Sequence, residues 1–447
     1  MAGCRASVFG AVATGTRVRV DDVDGMAGRA AGGGGRTPLG AAVLGAETPA
    51  AAGPPAALGW NLDAIHVGQA HRVTRGAGAV VAVLDTGVDV GHPRLGGALV
   101  AGADLVDGDA QAHDGHGHGT HVAGIIAARA QTGSGVLGVA PAARLIAVRV
   151  LDDQGRGDVT HVACGIDAAM AAGAHVINLS TSQAPAAAPG SGLDELTQAV
   201  ERAARAGAVV VAAAGNHNLP SCAQPEVAGR ILCVGAVDRR RRRASYSNHA
   251  SRVNVMGPGG SYADGSAIVS TAPGGGYRRM AGTSQATPHV AGVAALLVSL
   301  GLRGGDVVDR IERTAIDLGA RGPDDVYGHG LVDAGAAVEG IRSAAPARET
   351  FARAPHSVRL ATLRRSGLAV SCHAARGGLC TARVLTGGGR LLARGSRELL
   401  PGATRTVRAR LTGYGRRLLR RAALTTSHLR VSVRDAPVVD QRVAVVR

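Results

Sequence analysis

Four side chains of this 447-residue chain have the types and settings that acyl chemistry needs. Ser284 stands in GTSQATPHVAG (282–292), a loop of small residues opening an apolar run that reads as a helix. A serine there either caps the helix by accepting a backbone N–H or serves as a nucleophile at the positive helix end. The second role requires an acid, a base and an oxyanion donor elsewhere. Asp85 ends the apolar run AGAVVAVLD (77–85), where a lone carboxylate is costly unless paired or hydrogen-bonded. His118 enters a helix from the Gly-rich turn of HGHGTHVAG (116–124), and Asn216 ends AVVVAAAGN (208–216). Together they supply an acid to orient an imidazole and an imidazole to take the hydroxyl proton. They also supply the nucleophile and an amide donor for the developing oxyanion.

The elements that must position these residues are legible around them. AGAVVAVLD, ARLIAVRVL (143–151), HVINLS (175–180) and AVVVAAAGN read as buried strands. Between them HGTHVAGIIAA (118–128), VTHVACGIDAAMAAG (159–173) and LDELTQAVERAARAG (193–207) read as helices. Apolar strands alternating with helices predict a doubly wound, mainly parallel α/β sheet covered on both faces. Such sheets place sites at the carboxyl ends of their strands, where Asp85, Ser180 and Asn216 fall. The pattern spans 55–341 and closes near YGHGLVDAGAAV (327–338). Before it, residues 1–54 are Gly/Ala-rich, of low complexity, and read as flexible. After it, 342–447 alternate in RTVRARL (405–411), LRVSVRD (429–435) and RVAVV (442–446), with one short helix in GRRLLRRAAL (415–424). That is the pattern of a small antiparallel, β-sandwich-like C-terminal module.

The blocks VLDTGVD, HGTHVAG, AAAGN and GTSQATPHVAG, in this order, resemble the subtilisin-like serine proteases (subtilases) over residues 58–341. The resemblance implies a serine endopeptidase on a doubly wound α/β fold. Ser284 would be the nucleophile, His118 the general base and then acid, and Asp85 the orienting acid. Asn216 would donate to the oxyanion beside the Ser284 backbone N–H. The resemblance further implies an extended peptide pairing with backbone on both sides of the cleft. Ser180, Thr181 and Ser182 would form one wall of the first pocket, and Ala213, Ala214 and Gly215 the other. Gly155, Arg156 and Gly157 would line the more distant subsites. These walls carry no cluster of acids, so no strict dibasic preference is expected. In the family the second histidine of HGTH is structural. His121 is therefore expected to be a hydrogen-bonded core residue and His116 a loop residue, although HxHxxH alone would suit a metal.

The chain departs from the family in several places, among them Gln285 after the serine, where Met is commoner, and Gly257 in place of the usual Ala before Pro258. Thr181-Ser182 leads into an insertion, QAPAAAPGSG (183–192), which alters the pocket. Arg94 follows His92-Pro93 where a carboxylate would bind the family's strong calcium ion, so that site is expected to be lost, with weaker calcium sites left open. No cofactor is expected to be required. Residues 1–54 show no periodic pattern for the folded chaperone domain that relatives carry.

All 49 basic residues are Arg and the net charge is +16. Residues 341–447 hold 22 Arg against four acids, a net +18, so the remainder is close to neutral. The basic tail suits an anionic cell-envelope surface, or is a solvated Arg-rich face with no partner. The run Arg239–Arg243 is a self-cleavage site, a polyanion contact or a solvated loop. No run of 18 apolar residues marks a transmembrane segment. The expectation is a secreted or cell-surface monomer acting on protein or peptide substrates, with no specific nucleic acid. Residues 6–20 offer only a weak apolar region for a signal peptide. Cys372 and Cys380 are expected to pair, and Cys222 and Cys233 could close a second short disulfide. Cys4 and Cys164 have no obvious partner, and Cys164 is expected to be a buried free thiol. A non-catalytic envelope-binding or adhesion protein with the same fold is the alternative. The presence of Asp85, His118, Ser284 and Asn216 together favours the enzyme.

Overall fold

The computed structural model describes residues 17–20, 59–109, 111–130, 136–183, 193–222, 231–250, 252–341, 351–353, 357–374, 378–386, 390–399, 403–421, 425–433 and 439–446. Residues 21–58, most of the insertion after Gln183, and the 131–135 loop lie outside them. The chain divides into two units, Met1–Arg342 and Ser343–Arg447.

In chain order the strands of the first unit are β1 (Arg17–Arg19), β2 (Val80–Asp85), β3 (Leu99–Asp104), β4 (Arg144–Arg149), β5 (Arg156–Asp158) and β6 (Val176–Leu179). They continue with β7 (Ser182–Gln183), β8 (Val209–Ala213), β9 (Ile231–Val237), β10 (Val255–Pro258), β11 (Ile268–Ala272) and β12 (Gly276–Met280). Its helices are α1 (Trp60–Ala64), α2 (Val67–Ala70), α3 (His118–Ala127), α4 (Val159–Ala171), α5 (Leu193–Arg205), α6 (Thr283–Ser299), α7 (Gly305–Thr314) and α8 (Ala334–Val338).

A parallel sheet of order β10-β9-β8-β6-β2-β4-β3 forms the centre. Strand side chains alternate between faces, so each central strand feeds two cores. Val81 and Val83 of β2 join one cluster with residues of α3 and α6, while Val80, Ala82 and Leu84 join another with residues of α4 and α5. Each such Val or Leu side chain, fully buried, contributes about 1.5–3 kcal/mol. Register then decides where the strands end together. Leu84 lies beside Leu179, and Leu179 beside Ala212. Asp85, Ser180 and Ala213, the next residues, therefore stand side by side at the carboxyl ends of the three strands.

Two expectations are corrected. Part of the N-terminal segment read as flexible is a strand: β1 pairs antiparallel with both β5 and β7. A short run of alternating Arg and Val has strand periodicity, but it is too brief to stand out beside a Gly/Ala-rich stretch. Cys164, buried on α4, is disulfide-bonded instead of free. The Cys222–Cys233 disulfide ties the loop after β8 to β9.

The second unit is one sheet built from β13 (Phe351–Arg353), β14 (Ser357–Arg359), β15 (Leu368–Ala374), β16 (Gly378–Thr386), β17 (Leu391–Leu399), β18 (Ala403–Leu411), β19 (Thr425–Val433) and β20 (Val439–Val446). Helices α9 (Leu360–Ser366) and α10 (Gly413–Arg421) accompany it. The strand order is β13-β15-β18-β17-β16-β19-β20-β14, antiparallel except between β20 and β14. Val370, Val384, Leu392 and Val407 fill its core. The expected Cys372–Cys380 disulfide is present and links β15 to β16, which are not neighbours in the sheet.

Candidate active site

Asp85 and His118 meet in a dry place. Asp85 is 0% and His118 2% exposed, and His118 Nδ1 donates to Asp85 Oδ1 at 2.7 Å. A carboxylate can only accept, so Nδ1 carries the proton and Nε2 is the basic nitrogen of the neutral ring. The Thr86 N–H also donates to Asp85 Oδ1, at 2.8 Å. This close approach depends on Gly119. A Cβ there would sit 2.0 Å from the Gly87 carbonyl oxygen and 3.1 Å from Asp85 Cβ. Any side chain at 119 would push the start of α3, and His118 with it, away from the acid.

A second buried carboxylate, Asp114, holds the turn that aims His118. Its Oδ1 accepts from the N–H groups of His116 (3.1 Å) and Gly117 (2.7 Å) and from Thr86 Oγ1 (2.8 Å). Its Oδ2 accepts from Thr120 N (2.8 Å) and Thr120 Oγ1 (2.5 Å). Thr86 Oγ1 in turn accepts from Gly119 N at 3.0 Å. Asp114 thus satisfies two amides of the turn and one opening amide of α3, Thr120, and couples them to the residue after Asp85. The sequence reading missed it. An acid four residues ahead of the helix-entering histidine, just before a Gly-rich turn, was the available capping signal.

Ser284 is held from two sides. Its Oγ donates to Ser180 O, and Ser180 Oγ donates to Ser284 O, each at 3.0 Å. The second bond answers a local defect. Pro288, four residues on, has no N–H to give to the Ser284 carbonyl, and Ser180 supplies the missing donor. On the other side Asn216 Oδ1 accepts from Thr283 N (2.9 Å) and Thr283 Oγ1 (2.8 Å). A backbone N–H can only donate, which fixes the amide orientation and makes Nδ2 the donor end. A Cβ at Gly282 would lie 3.2 Å from that Nδ2. The Gln285 and Ala286 N–H groups donate to Gly282 O. Among the described residues the Ser284 N–H has no acceptor, as befits an opening amide of a helix.

The strand ends and the triad candidates are therefore brought together through Ser180, which leaves the sheet beside Asp85 and bonds Ser284. Thr181 is buried beyond it. Ser182 enters β7. Ala213 and Ala214 are buried at the end of β8. Gly215 donates to Thr283 Oγ1 at 3.2 Å, and Asn248 Nδ2 donates to Ala214 O at 2.8 Å, which pins that wall. Gly155 has φ +67°, and Arg156 and Gly157 form β5.

His121 and His289 are buried and hydrogen-bonded to backbone. His121 Nε2 donates to Ile268 O and Arg278 O, both at 3.1 Å, and burial pushes its pKa down to about 3, with His118 adding to the effect. His289 on α6 donates from Nδ1 to Gln285 O and accepts at Nε2 from Asn61, both at 2.8 Å. Burial lowers its pKa to about 4. His116 is a half-buried turn residue whose ring meets His118 edge-on at 6.3 Å. Arg94 is buried, with Nε donating to Tyr277 Oη at 2.9 Å and a terminal nitrogen to Arg129 O at 3.4 Å. A guanidinium spending its donors there does not fit a calcium ligand set.

Comparison with known proteins places these features in company. The family model described as "Subtilase family" matches residues 76–330. Thermitase of Thermoactinomyces vulgaris is 42% identical over 275 residues, covering 62% of this chain and 94% of its own length. Subtilisin BL of Lederbergia lenta is 42% identical over 282 residues, covering 62% and 97%. The "Thermophilic serine proteinase" of Bacillus sp. (strain AK1) is 43% identical over 261 residues; here the match spans 57% of this chain and 61% of the relative.

Proposed function

The chain belongs to the subtilase family of serine-type endopeptidases, and on that premise we propose that it cleaves peptide bonds through Ser284, His118 and Asp85 by way of an acyl-enzyme. The observation that carries this reading is the buried 2.7 Å Asp85–His118 bond, which leaves Nε2 as the base. Ser284 Oγ turns from Ser180 O, gives its proton to His118 Nε2 and attacks the substrate carbonyl. The new negative oxygen is met by Asn216 Nδ2 and the Ser284 N–H, two donors already directed by their fixed neighbours. His118, now charged and steadied by Asp85, returns the proton to the leaving amine. Water, deprotonated by the same imidazole, then frees the acid product and restores Ser284.

The substrate runs as a strand between β5 and the 180–183 edge, with Ala213, Ala214 and Gly215 facing Ser180, Thr181 and Ser182 across the first pocket. These walls suit extended, backbone-read peptides. The reaction needs no metal step, and Arg94 argues against the strong calcium site. The second unit, with net charge +17 over 343–447, suits an anionic envelope surface outside the cell. No helix of the described residues is long and apolar enough to cross a membrane.

The test is hydrolysis of denatured casein by wild type, Ser284→Ala, His118→Ala and Asp85→Asn. Each triad substitution should cost at least about 10⁴-fold in turnover, the scale found in subtilisin itself. A Ser284→Ala protein that still cleaves casein at the wild-type rate would rule the assignment out.

A further inference from the structure

The sheet of the second unit carries a line of arginines in direct cross-strand register. Arg430 of β19 stands opposite Arg383 of β16, Arg383 opposite Arg394 of β17, and Arg394 opposite Arg410 of β18. These four strands are neighbours in the sheet, so the four residues form one row across it. Directly paired residues share a face, which puts the row on one side. Arg383, Arg394 and Arg410 are exposed there, whereas the residues beside them along the strands, Ala382, Val384, Ala393, Ala409 and Leu411, belong to the core. Both helices lie on the core side: Leu363 of α9 is part of that cluster, and Tyr414 and Leu418 of α10 pack against it. Arg408, also exposed, sits two residues before Arg410 and widens the row on the same face. On β20 Asp440 stands opposite Arg430 and ends the row. Glu398 is on the same strand as Arg394 but four residues along it, roughly 14 Å away.

Folding alone does not favour such a row, because like charges directly opposite one another on a sheet are destabilising. Among the described residues no carboxylate pairs with Arg383, Arg394, Arg408 or Arg410. Strands about 4.8 Å apart set the four charges along roughly 14 Å. A twist of about 20–25° per strand then fans their side chains through roughly 60–75° from one end of the row to the other. A flat lipid surface meets only part of such a fan, whereas a flexible chain can follow it. Each guanidinium fork matches two oxygens of one phosphate. Single-stranded nucleic acids are held by stacking their bases on aromatic rings. The neighbours of the row on this face, Thr381, Ser396, Thr406 and Ala369, are small and offer no ring.

We propose that the outer face of β18, β17, β16 and β19 is a docking site for one linear polyol-phosphate chain of the cell envelope, laid across the strands along Arg410, Arg394, Arg383 and Arg430. The proposal rests on the envelope reading given under Proposed function and gives it a surface and a ligand chemistry. The contact anchors the peptidase unit to the envelope polymer. Each phosphate neutralised on a single-stranded polyanion adds about −0.7 to the slope of log K against log salt, so four contacts give about −3. That slope means roughly 50-fold weaker binding at about 200 mM salt than at about 50 mM.

The experiment measures binding of the full-length chain, in a Ser284→Ala background, to poly(glycerol phosphate) over a salt series. Arg383→Gln/Arg394→Gln should reduce the slope to about −1.5 and weaken binding at low salt on the order of tenfold. Arg365→Gln/Arg417→Gln removes the same charge from exposed positions on α9 and α10 and should leave the slope unchanged. Arg383→Lys/Arg394→Lys keeps both charges and should restore the slope, at an affinity below that of the arginines. The Gln variant should unfold at the same temperature as its parent or higher, since the row repels itself; arginines kept for packing would lower it. A Gln variant with the slope of the helix variant would overturn the row, as would a Lys variant with the slope of the Gln variant. Vesicles of phosphatidylglycerol should lose less affinity in the Gln variant than poly(glycerol phosphate) does. An equal loss would make the partner a bilayer and overturn the chain ligand. Tighter binding of a thymidine oligonucleotide of matched charge would overturn a ligand without bases. A parent protein that binds neither poly(glycerol phosphate) nor the vesicles at low salt would instead overturn the envelope reading beneath the proposal.

Discussion

At the scale of single residues, the site depends on small groups with no spare bonding capacity. Asn216 spends its carbonyl on Thr283, which fixes the orientation of its side-chain amide. Asn216→Ala should lower turnover by about 10²–10³-fold with KM little changed, a magnitude taken from the same substitution class in subtilisin. Steady-state kinetics on a peptide substrate check it. His121 and His289 set a different limit. Their folded pKa values, about 3 and about 4, lie below the ordinary 6.5. The unfolded chain therefore takes up protons that the folded one refuses. Stability is fully present above pH 6.5 and is lost as pH falls towards 4 and then 3, at up to about 1.4 kcal/mol per pH unit for each ring. Urea unfolding between pH 6.5 and 5, in a Ser284→Ala background that cannot digest itself, should show this decline. His289→Gln should make it shallower by about one proton.

At the scale of elements, the parallel strands bring the chemistry to one edge, and the turns after them do the aiming. Gly119→Ala tests that division of labour. The sheet should survive, because both cores lie below the turn. The Asp85–His118 contact should open, and an ångström of misplacement costs about 10²-fold in turnover. Activity and thermal unfolding measured on the same sample would separate the two effects. Much of this scale was legible in the sequence. Apolar runs ending at Asp85 and Ser180 located the ends of β2 and β6, whereas β8 ends at Ala213, three residues before Asn216. What was not legible is instructive. Asp114 serves five donors, yet one acid among several in a polar loop carries no period. Ser180 complements the carbonyl orphaned by Pro288 across a distance in sequence that no local pattern spans. Arg17–Arg19 is a strand only because β5 and β7 offer it two edges.

At the scale of the whole molecule, covalent ties supplement a core built largely of Ala and Val. The Cys222–Cys233 bridge closes a loop with a sequence separation of 11. A Cys222→Ser/Cys233→Ser protein should lose about 2–3 kcal/mol, read as a lower urea midpoint at unchanged m-value. The basic second unit predicts salt-sensitive attachment. The full chain should bind anionic vesicles at low ionic strength and release them as salt screens the Arg side chains, whereas a chain ending at Ile341 should not bind. Equal binding by the two would remove the electrostatic account. The most direct test of the central claim is fluorophosphonate labelling of the full-length protein, followed by peptide mass mapping. The account predicts one label on Ser284, absent from Ser284→Ala and strongly slowed in His118→Ala. A folded wild type that stays unlabelled, or a label on another serine, would contradict it.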